Sequence, residues 1–157
     1  MPSTSTCLWF DDQAEQAVAF YTSLFPDSHI LATTYYPEGA QRPAGSVLTI
    51  QFTLDGNEYL ALNGGPHFQF SPAISLVAYC DSQEQVDRLW SQLSAGGQEG
   101  QCGWVTDRYG VSWQIVPRQM LGFLGSADHA AAQRAFAAML QMNKLDIAAL
   151  QYAYDHA

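Results

Sequence analysis

The sequence FDDQAEQ at residues 10–16 is matched by YCDSQEQ at residues 79–85, at an offset of 69 residues. The correspondence continues without a gap through the following turns, as far as Leu24 over Leu93. Similarity at a fixed period indicates that one supersecondary unit is used more than once. We therefore expect two related strand-helix units, a pseudo-symmetric fold, and a cleft formed by the related halves.

The first half is predicted to contain a strand, a helix and about three further strands. Residues 6–10 form the first strand, and the helix that follows has Asp12 at its expected cap and Glu15 three residues later, as in a capping box. Residues 47–54 alternate between apolar and polar side chains, which predicts a half-buried strand. A turn then leads into a returning strand over residues 59–63.

The second half repeats this order. Ser82 and Gln85 form a capping box before the second helix. Residues 107–110 have Asp first and Gly fourth, which is typical of a type I turn. Strands are expected at residues 74–80, 102–106 and 111–116.

The chain is expected to form a single domain with three segments. Residues 1–65 and 66–118 are the two repeated units, and residues 119–157 form a helical C-terminal extension. Within this extension, Asp128 is expected to cap a helix over residues 129–142. A shorter helix is expected over residues 145–155.

Composition excludes several classes of protein. The chain has 157 residues, 48% of them hydrophobic, which fits a folded globular domain. Its net charge of -9 provides no basic surface for nucleic acid. No apolar run is long enough to cross a membrane, and the first residues do not resemble a secretory signal. Three Cys without a C-x-x-C motif fit reduced thiols, so we expect a cytoplasmic protein.

Five strings of the sequence resemble one family. They are FYTSLFPDS at residues 20–28, LNGGP at 62–66, QCGWVTD at 101–107, GVSWQIVP at 110–117 and KLDI at 144–147. They resemble the PhnB-like branch of the vicinal oxygen chelate superfamily, which includes glyoxalases, bleomycin-resistance proteins and dioxygenases. The resemblance implies an α+β fold of two βαβββ units with C-terminal helices, and a homodimer.

Members of this branch often carry the name of a demethylubiquinone methyltransferase domain. A methyltransferase usually binds its nucleoside cofactor on a Gly-rich turn between a parallel strand and a helix. Here Gly64 and Gly65 follow a hairpin strand and precede a proline, while Gly96 and Gly97 follow a helix. We therefore do not expect the methyltransferase name to be literal, and we expect no cofactor.

Enzymes of the superfamily hold a divalent metal on a His or Gln of the first strand and a Glu of the last strand of each unit. The resemblance places these positions at Thr6 and Ser75 on the first strands, and at Leu60 and Gln114 on the last strands. None of the four is His or Glu. A shift of the alignment that brings in Leu8 restores no ligand set. We therefore expect no superfamily-type metal site, with these residues as candidates for lining a ligand cleft.

Three further residues are candidates for the cleft, each with a simpler structural alternative. Asn63 could orient a polar ligand or serve as a turn residue. Cys102 could line the cleft, although a buried, inert thiol is the simpler interpretation. Trp104 could stack on a planar ligand or belong to the core. His67 is the only histidine expected near a cleft.

These features favour a protein that binds a small molecule in an apolar cleft with a few polar groups. The alternative is a metal-dependent lyase, isomerase or dioxygenase-like enzyme of the same superfamily. A dimeric interaction module without a ligand is a third possibility. The sequence leaves open whether any reaction is catalysed.

Overall fold

The computed structural model describes all 157 residues, which separate into a first unit, Met1–Gln69, and a second unit, Phe70–Ala157. The first unit contains one helix and four strands. They are β1 (Thr6–Phe10), α1 (Ala14–Leu24), β2 (Ile30–Tyr35), β3 (Val47–Leu54) and β4 (Asn57–Asn63).

The four strands of the first unit form one mixed sheet in the order β1-β4-β3-β2. Strand β1 runs parallel to β4, and the other pairs are antiparallel. Helix α1 packs on β3 and β4. The alternation predicted for residues 47–54 is observed, because Ile50, Phe52 and Leu54 are buried on the helix side. Burial of each such side chain contributes about 1.5–3 kcal/mol.

The opposite side of this sheet is here called the open face of the unit. Paired residues of neighbouring strands point to the same side of a sheet. In β1, Leu8 and Phe10 are buried toward the helix, so Cys7 and Trp9 lie on the open face. Their partners in β4 are Leu60 and Leu62, which lie on the same face.

The second unit repeats this arrangement and adds three helices. Its sheet has the order β5-β8-β7-β6, with β5 parallel to β8. The fold class predicted from the sequence is therefore confirmed. The elements are β5 (Leu76–Cys80), α2 (Gln83–Ser94), β6 (Gln98–Glu99), β7 (Trp104–Thr106), β8 (Ser112–Pro117), α3 (Arg118–Leu124), α4 (His129–Met139) and α5 (Ile147–Asp155).

The C-terminal helices form an apolar cluster together with the end of β8. Asp128 and Asp146 cap α4 and α5 by accepting hydrogen bonds from main-chain amides of the first turn. Helix α4 ends at Met139, three residues before the predicted end, and α3 was not predicted as a separate helix. The cluster comprises Val116, Met120, Phe123, Ala135, Met139, Leu145 and Leu150. None of the helices is both long enough and apolar enough to span a bilayer.

The two repeated helices are capped differently. The capping box predicted at α2 is confirmed, since Ser82 Oγ accepts from the Gln85 amide. The cap predicted for α1 is wrong: Gln13 occupies that position without a side-chain bond, and Asn63 of β4 accepts from the Ala14 amide instead.

The first strands of the two units correspond at an offset of 70 residues, although the helices correspond at 69. Phe10 and Cys80 both end a first strand with a side chain buried toward the helix. The difference arises because residues 11–13 join β1 to α1, whereas only residues 81–82 join β5 to α2. A one-residue change of register moves a side chain to the other face of a sheet. The offset of 69 therefore misplaces the faces of the first strands.

Candidate functional site

The open face of the second unit carries the most distinctive polar group among the residues expected to line a cleft. Gln114 lies at the centre of β8, paired with Val77 of β5 on one side and Trp104 of β7 on the other. Its side-chain Nε2 donates to Ser75 Oγ at 2.9 Å. The structure thus brings together three of the predicted residues, Ser75, Trp104 and Gln114.

A cavity of about 190 Å³ lies beside this group, at the β6–β7 edge of the same sheet. Trp104, Thr106 and Ser112 line it, and their register places them on one face. Glu99 lines its rim, where the carboxylate accepts a hydrogen bond of 2.8 Å from the Trp90 indole. An aromatic surface with a few hydroxyl and amide groups suits a small, mostly apolar ligand.

In the first unit, the register corrects the first-strand positions. Leu60 pairs with Cys7, so these two residues share the open face. Thr6 pairs with Tyr59, and Leu8 is buried toward the helix with 4% of its surface exposed. Thr6 and Leu8 therefore lie on the opposite side of the sheet from Leu60, and the structure does not bring them together with it.

The residues at the superfamily's metal positions do not fit a metal ion. By register these positions are Cys7 and Leu60 in the first unit, and Val77 and Gln114 in the second. No three His, Cys, Asp or Glu side chains are grouped to hold an ion. Burial raises the pKa of the Cys7 thiol, which disfavours the thiolate that a metal would need.

Asn63 is buried and fully engaged within the first unit. Its Oδ1 accepts from the Ala14 amide at 2.9 Å. Its Nδ2 donates to Glu15 Oε1 at 2.8 Å and to the Val47 carbonyl at 3.1 Å. Both amide hydrogens are thus used inside the protein, which leaves no donor for a ligand.

Cys102 lies outside the strand in which it was predicted. Its backbone has a left-handed φ of 59°, followed by Gly103 at 86°, so β7 begins only at Trp104. The Cys102 amide donates to the Met142 carbonyl at 2.8 Å, and its side chain packs against the C-terminal cluster. The structure therefore places the Cys102 side chain against the C-terminal cluster.

Asp107 has a structural role in the turn predicted for residues 107–110. The Gly110 amide donates to the Asp107 carbonyl at 3.0 Å, which confirms the turn. The buried carboxylate accepts from the amides of Tyr109 and Val111 and from the Trp113 indole. It therefore holds the turn against β8.

A second cavity, of about 320 Å³, lies in the first unit, and the sequence analysis missed most of its lining. Tyr36, Arg42 and the segment from Gly64 to His67 line it. Only His67 was expected near a cleft. A count of charges could have found Arg42, because it is the only Lys or Arg in residues 1–69.

The connections between parallel strands and helices have no glycine. Residues 11–13 follow β1, and residues 81–82 follow β5. Gly64 and Gly65 follow β4 without opening a helix, and Gly96 and Gly97 follow α2. The phosphate-binding turn typical of nucleoside cofactors is therefore not formed at these positions.

Comparisons with known proteins agree with this architecture. The family model described as 3-demethylubiquinone-9 3-methyltransferase matches residues 2–116. A PhnB protein from Bacillus cereus, named for the same methyltransferase, is 34% identical with a TM-score of 0.68, and the match covers 74% of this chain and 99% of that one. No curated protein matches the chain.

More distant structures share the fold alone. PA1353 from Pseudomonas aeruginosa is 18% identical with a TM-score of 0.61, and the match covers 74% of this chain and 98% of that one. The fosfomycin resistance protein FosX from Listeria monocytogenes is 12% identical with a TM-score of 0.52, over 82% of this chain and 97% of that one. The family match and the 34% identical PhnB protein show that this chain belongs to the 3-demethylubiquinone-9 3-methyltransferase (PhnB-like) family, and its paired βαβββ units have the vicinal oxygen chelate fold.

Proposed function

We propose that this protein binds a small, uncharged organic molecule on the open face of the second unit, without a superfamily-type metal. The observation that carries the proposal is the Gln114 side chain, which donates to Ser75 through Nε2 and lies beside Trp104. This arrangement leaves the amide oxygen of Gln114 as an acceptor for a hydroxyl or N–H group of the ligand.

The Trp104 side chain supports the same proposal. It is half-buried, and it lines the 190 Å³ cavity while standing next to Gln114 on the sheet. An indole surface provides a large contact area for a flat ligand, and the amide fixes its orientation. Ser75 would then act as a positioning residue, since it restrains the Gln114 side chain.

A ligand screen by thermal shift tests the proposal. Compounds that raise the melting temperature of the wild-type protein should bind at least about fivefold more weakly to Gln114→Leu and Trp104→Leu, because each variant removes a contact of about 1–3 kcal/mol. Gln92→Leu is the matched control, because Gln92 is exposed on α2. Ligands that bind both site variants and the control equally would refute the proposed site.

Metal content distinguishes binding from the alternative, metal-dependent chemistry. Protein purified without chelator would be measured by elemental mass spectrometry. We expect no near-stoichiometric divalent ion, because Cys7, Leu60, Val77 and Gln114 supply no ligand set. About one ion per chain would overturn this proposal and favour a lyase, isomerase or dioxygenase-like enzyme.

The proposal includes a symmetric homodimer. Val77 and Tyr79 lie on β5, at the opposite edge of the sheet from the β6–β7 cavity, and are 41% and 49% exposed. Ile74, just before the strand, is 74% exposed. Apolar side chains of this kind are often covered in a dimer. Light scattering after size exclusion should give twice the chain mass, and Tyr79→Asp should lower it. A monomeric wild-type protein would contradict this part.

A further inference from the structure

We propose that the 320 Å³ cavity of the first unit is a separate binding site for a small molecule bearing an oxyanion, either a carboxylate or a phosphate group. Its central residue is Arg42. This inference does not rest on the site proposed for the second unit, because every residue that lines the cavity belongs to the first unit.

The charge distribution of the first unit is the first argument. Arg42 is its only Lys or Arg, in a unit with seven acidic side chains. Arg42 nevertheless lines a cavity, with 27% of its side chain exposed. A solvated surface arginine would be unremarkable, whereas a solitary, largely enclosed guanidinium is suited to recognising an anion. The acidic residues are Asp11, Asp12, Glu15, Asp27, Glu38, Asp55 and Glu58.

The contacts of Arg42 are the second argument. Its Nε is buried and has no hydrogen-bond acceptor within the protein. Its Nη1 lies 3.9 Å from Asp11 Oδ1, beyond hydrogen-bond distance, and that carboxylate is 53% exposed. The guanidinium carbon lies 5.9 Å from the centre of the Tyr36 ring. The protein thus provides no hydrogen-bond acceptor for the Arg42 guanidinium, and those of its donors that face the cavity are available to a bound oxyanion.

The part of the cavity lining formed by Gly64 and Gly65 is fixed by hydrogen bonds. The Gly65 carbonyl accepts from the Trp9 indole at 2.9 Å, and the Gly64 amide donates to the Phe10 carbonyl at 2.9 Å. A Cβ at Gly64 would lie 2.4 Å from the Trp9 ring, so the backbone approaches the indole as only glycine allows. The site is therefore built in advance, which lowers the ordering cost of binding.

The shape of the cavity limits the ligand class. Its volume is near the lower end of ligand pockets, so a fragment-sized acid fits better than a nucleotide. Tyr36 gives an aromatic wall, and its hydroxyl donates to the Asn63 carbonyl, which restrains the ring. His67, exposed at the rim, offers a second donor for the same anion. A planar carboxylate would pair with the guanidinium fork through two parallel hydrogen bonds.

Titration with two anionic probes tests the inference. Sodium benzoate and sodium phosphate would be added separately at constant ionic strength, with the neutral benzamide as a comparison. Amide resonances of Gly64 and Gly65 would be followed by NMR. We expect saturable shifts with at least one anion and none with benzamide. Saturation by benzoate alone assigns carboxylates, saturation by phosphate alone assigns phosphates, and either result supports the oxyanion site.

Variants establish whether Arg42 is responsible. Arg42→Gln should weaken the anion at least about tenfold, as expected for loss of a charge-assisted bidentate pair. Arg42→Lys keeps the charge but not the fork, so an intermediate loss is expected. Arg108→Gln is the control, because its guanidinium carbon also lies 5.9 Å from a tyrosine ring but outside this cavity.

Melting curves of each variant would show that it is folded before titration. The inference is overturned if neither anion saturates the wild-type signals. It is also overturned if a folded Arg42→Gln binds the anion as the wild type does, or if Arg108→Gln weakens binding equally.

Discussion

Replacement of Asn63 by Ala is expected to destabilise the first unit by about 3 kcal/mol. The estimate combines about 1 kcal/mol for the lost helix cap, which is the hydrogen bond from the amide of the fully buried Ala14, with about 2 kcal/mol for the Val47 carbonyl left without its Asn63 donor. For a chain of this size, the melting temperature should fall by about 6–12 °C.

Calorimetry and urea unfolding would measure the loss. Asn57→Ala is the matched control, because Asn57 begins the same strand but is exposed and donates only at 3.4 Å. The control should change stability by less than about 0.5 kcal/mol. A melting temperature of Asn63→Ala within about 2 °C of the wild type would refute the reasoning. Unchanged stability with lost ligand binding would instead assign Asn63 to a ligand site.

The isosteric change Asn63→Asp separates charge from shape. The new carboxylate can still accept from the Ala14 amide, but it faces Glu15 Oε1 and lacks both amide hydrogens. Burial and the neighbouring carboxylate would raise its folded-state pKa above the unfolded value. The variant should therefore be closest to the wild type in acid, and it should lose stability as pH rises through that folded-state pKa.

Three further predictions concern the second unit and its extension. Gly103→Ala should lower the free energy of unfolding by about 2 kcal/mol or more, because φ is 86° and the added Cβ would lie 2.9 Å from a β8 carbonyl. Gly39→Ala, at φ 84° with nothing near its Cβ, should cost less. Equal losses in urea unfolding would refute the steric argument. Cys80 should resist iodoacetamide at pH 8 in the native protein and react in urea, since burial raises its pKa to about 11; rapid native labelling, detected by mass spectrometry, would contradict this. Hydrogen bonds from Gln83 and Lys144 lower the pKa of Asp87. Their contribution to the stability of the fold is therefore present above the ordinary Asp pKa, and it is lost as pH falls through the lowered pKa of Asp87. Lys144→Met should thus weaken stability to urea at neutral pH but not in acid; an equal loss at both would count against the ion pair.

The repeat predicted the fold because the same local sequence pattern occurs twice, and each copy forms the same strand-helix unit. The cap of α2 was readable from the sequence, since Ser82 and Gln85 are three residues apart and interact within one turn. The cap of α1 was not, because Asn63 is 49 residues from Ala14 and reaches it only through the pairing of β4 with β1. Asp12 is a residue type that caps helices, but the N-cap position of α1 is occupied by Gln13, one residue later.

The candidate site was predicted less completely than the fold. Gln114 was predicted at a last-strand position, Ser75 at a first-strand position and Trp104 as a strand aromatic. The structure places Gln114 next to both of the others. Thr6 and Leu8 were misplaced because an offset one residue short reverses the faces of a strand.

Cys102 was misplaced for a different reason. Its left-handed backbone is supported by hydrogen bonds from residues 102 and 103 to carbonyls at residues 142 and 143. The sequence around Cys102 contains no local pattern that could predict hydrogen bonds to carbonyls 40 residues away.

The unequal connections between strand and helix have a consequence for the history of the two halves. Asn63 occupies the place in β4 that Pro117 occupies in β8, and proline has no side-chain group that could cap a helix. Insertion or deletion of one residue after duplication, together with a change at this strand position, would account for both arrangements. The first strand and helix of one unit therefore cannot simply replace those of the other, because the two helices are capped by different residues. A chimaera that carries the Ser82 cap in the first half would need a one-residue deletion between β1 and α1. Only then could Asn63 be replaced without leaving α1 uncapped.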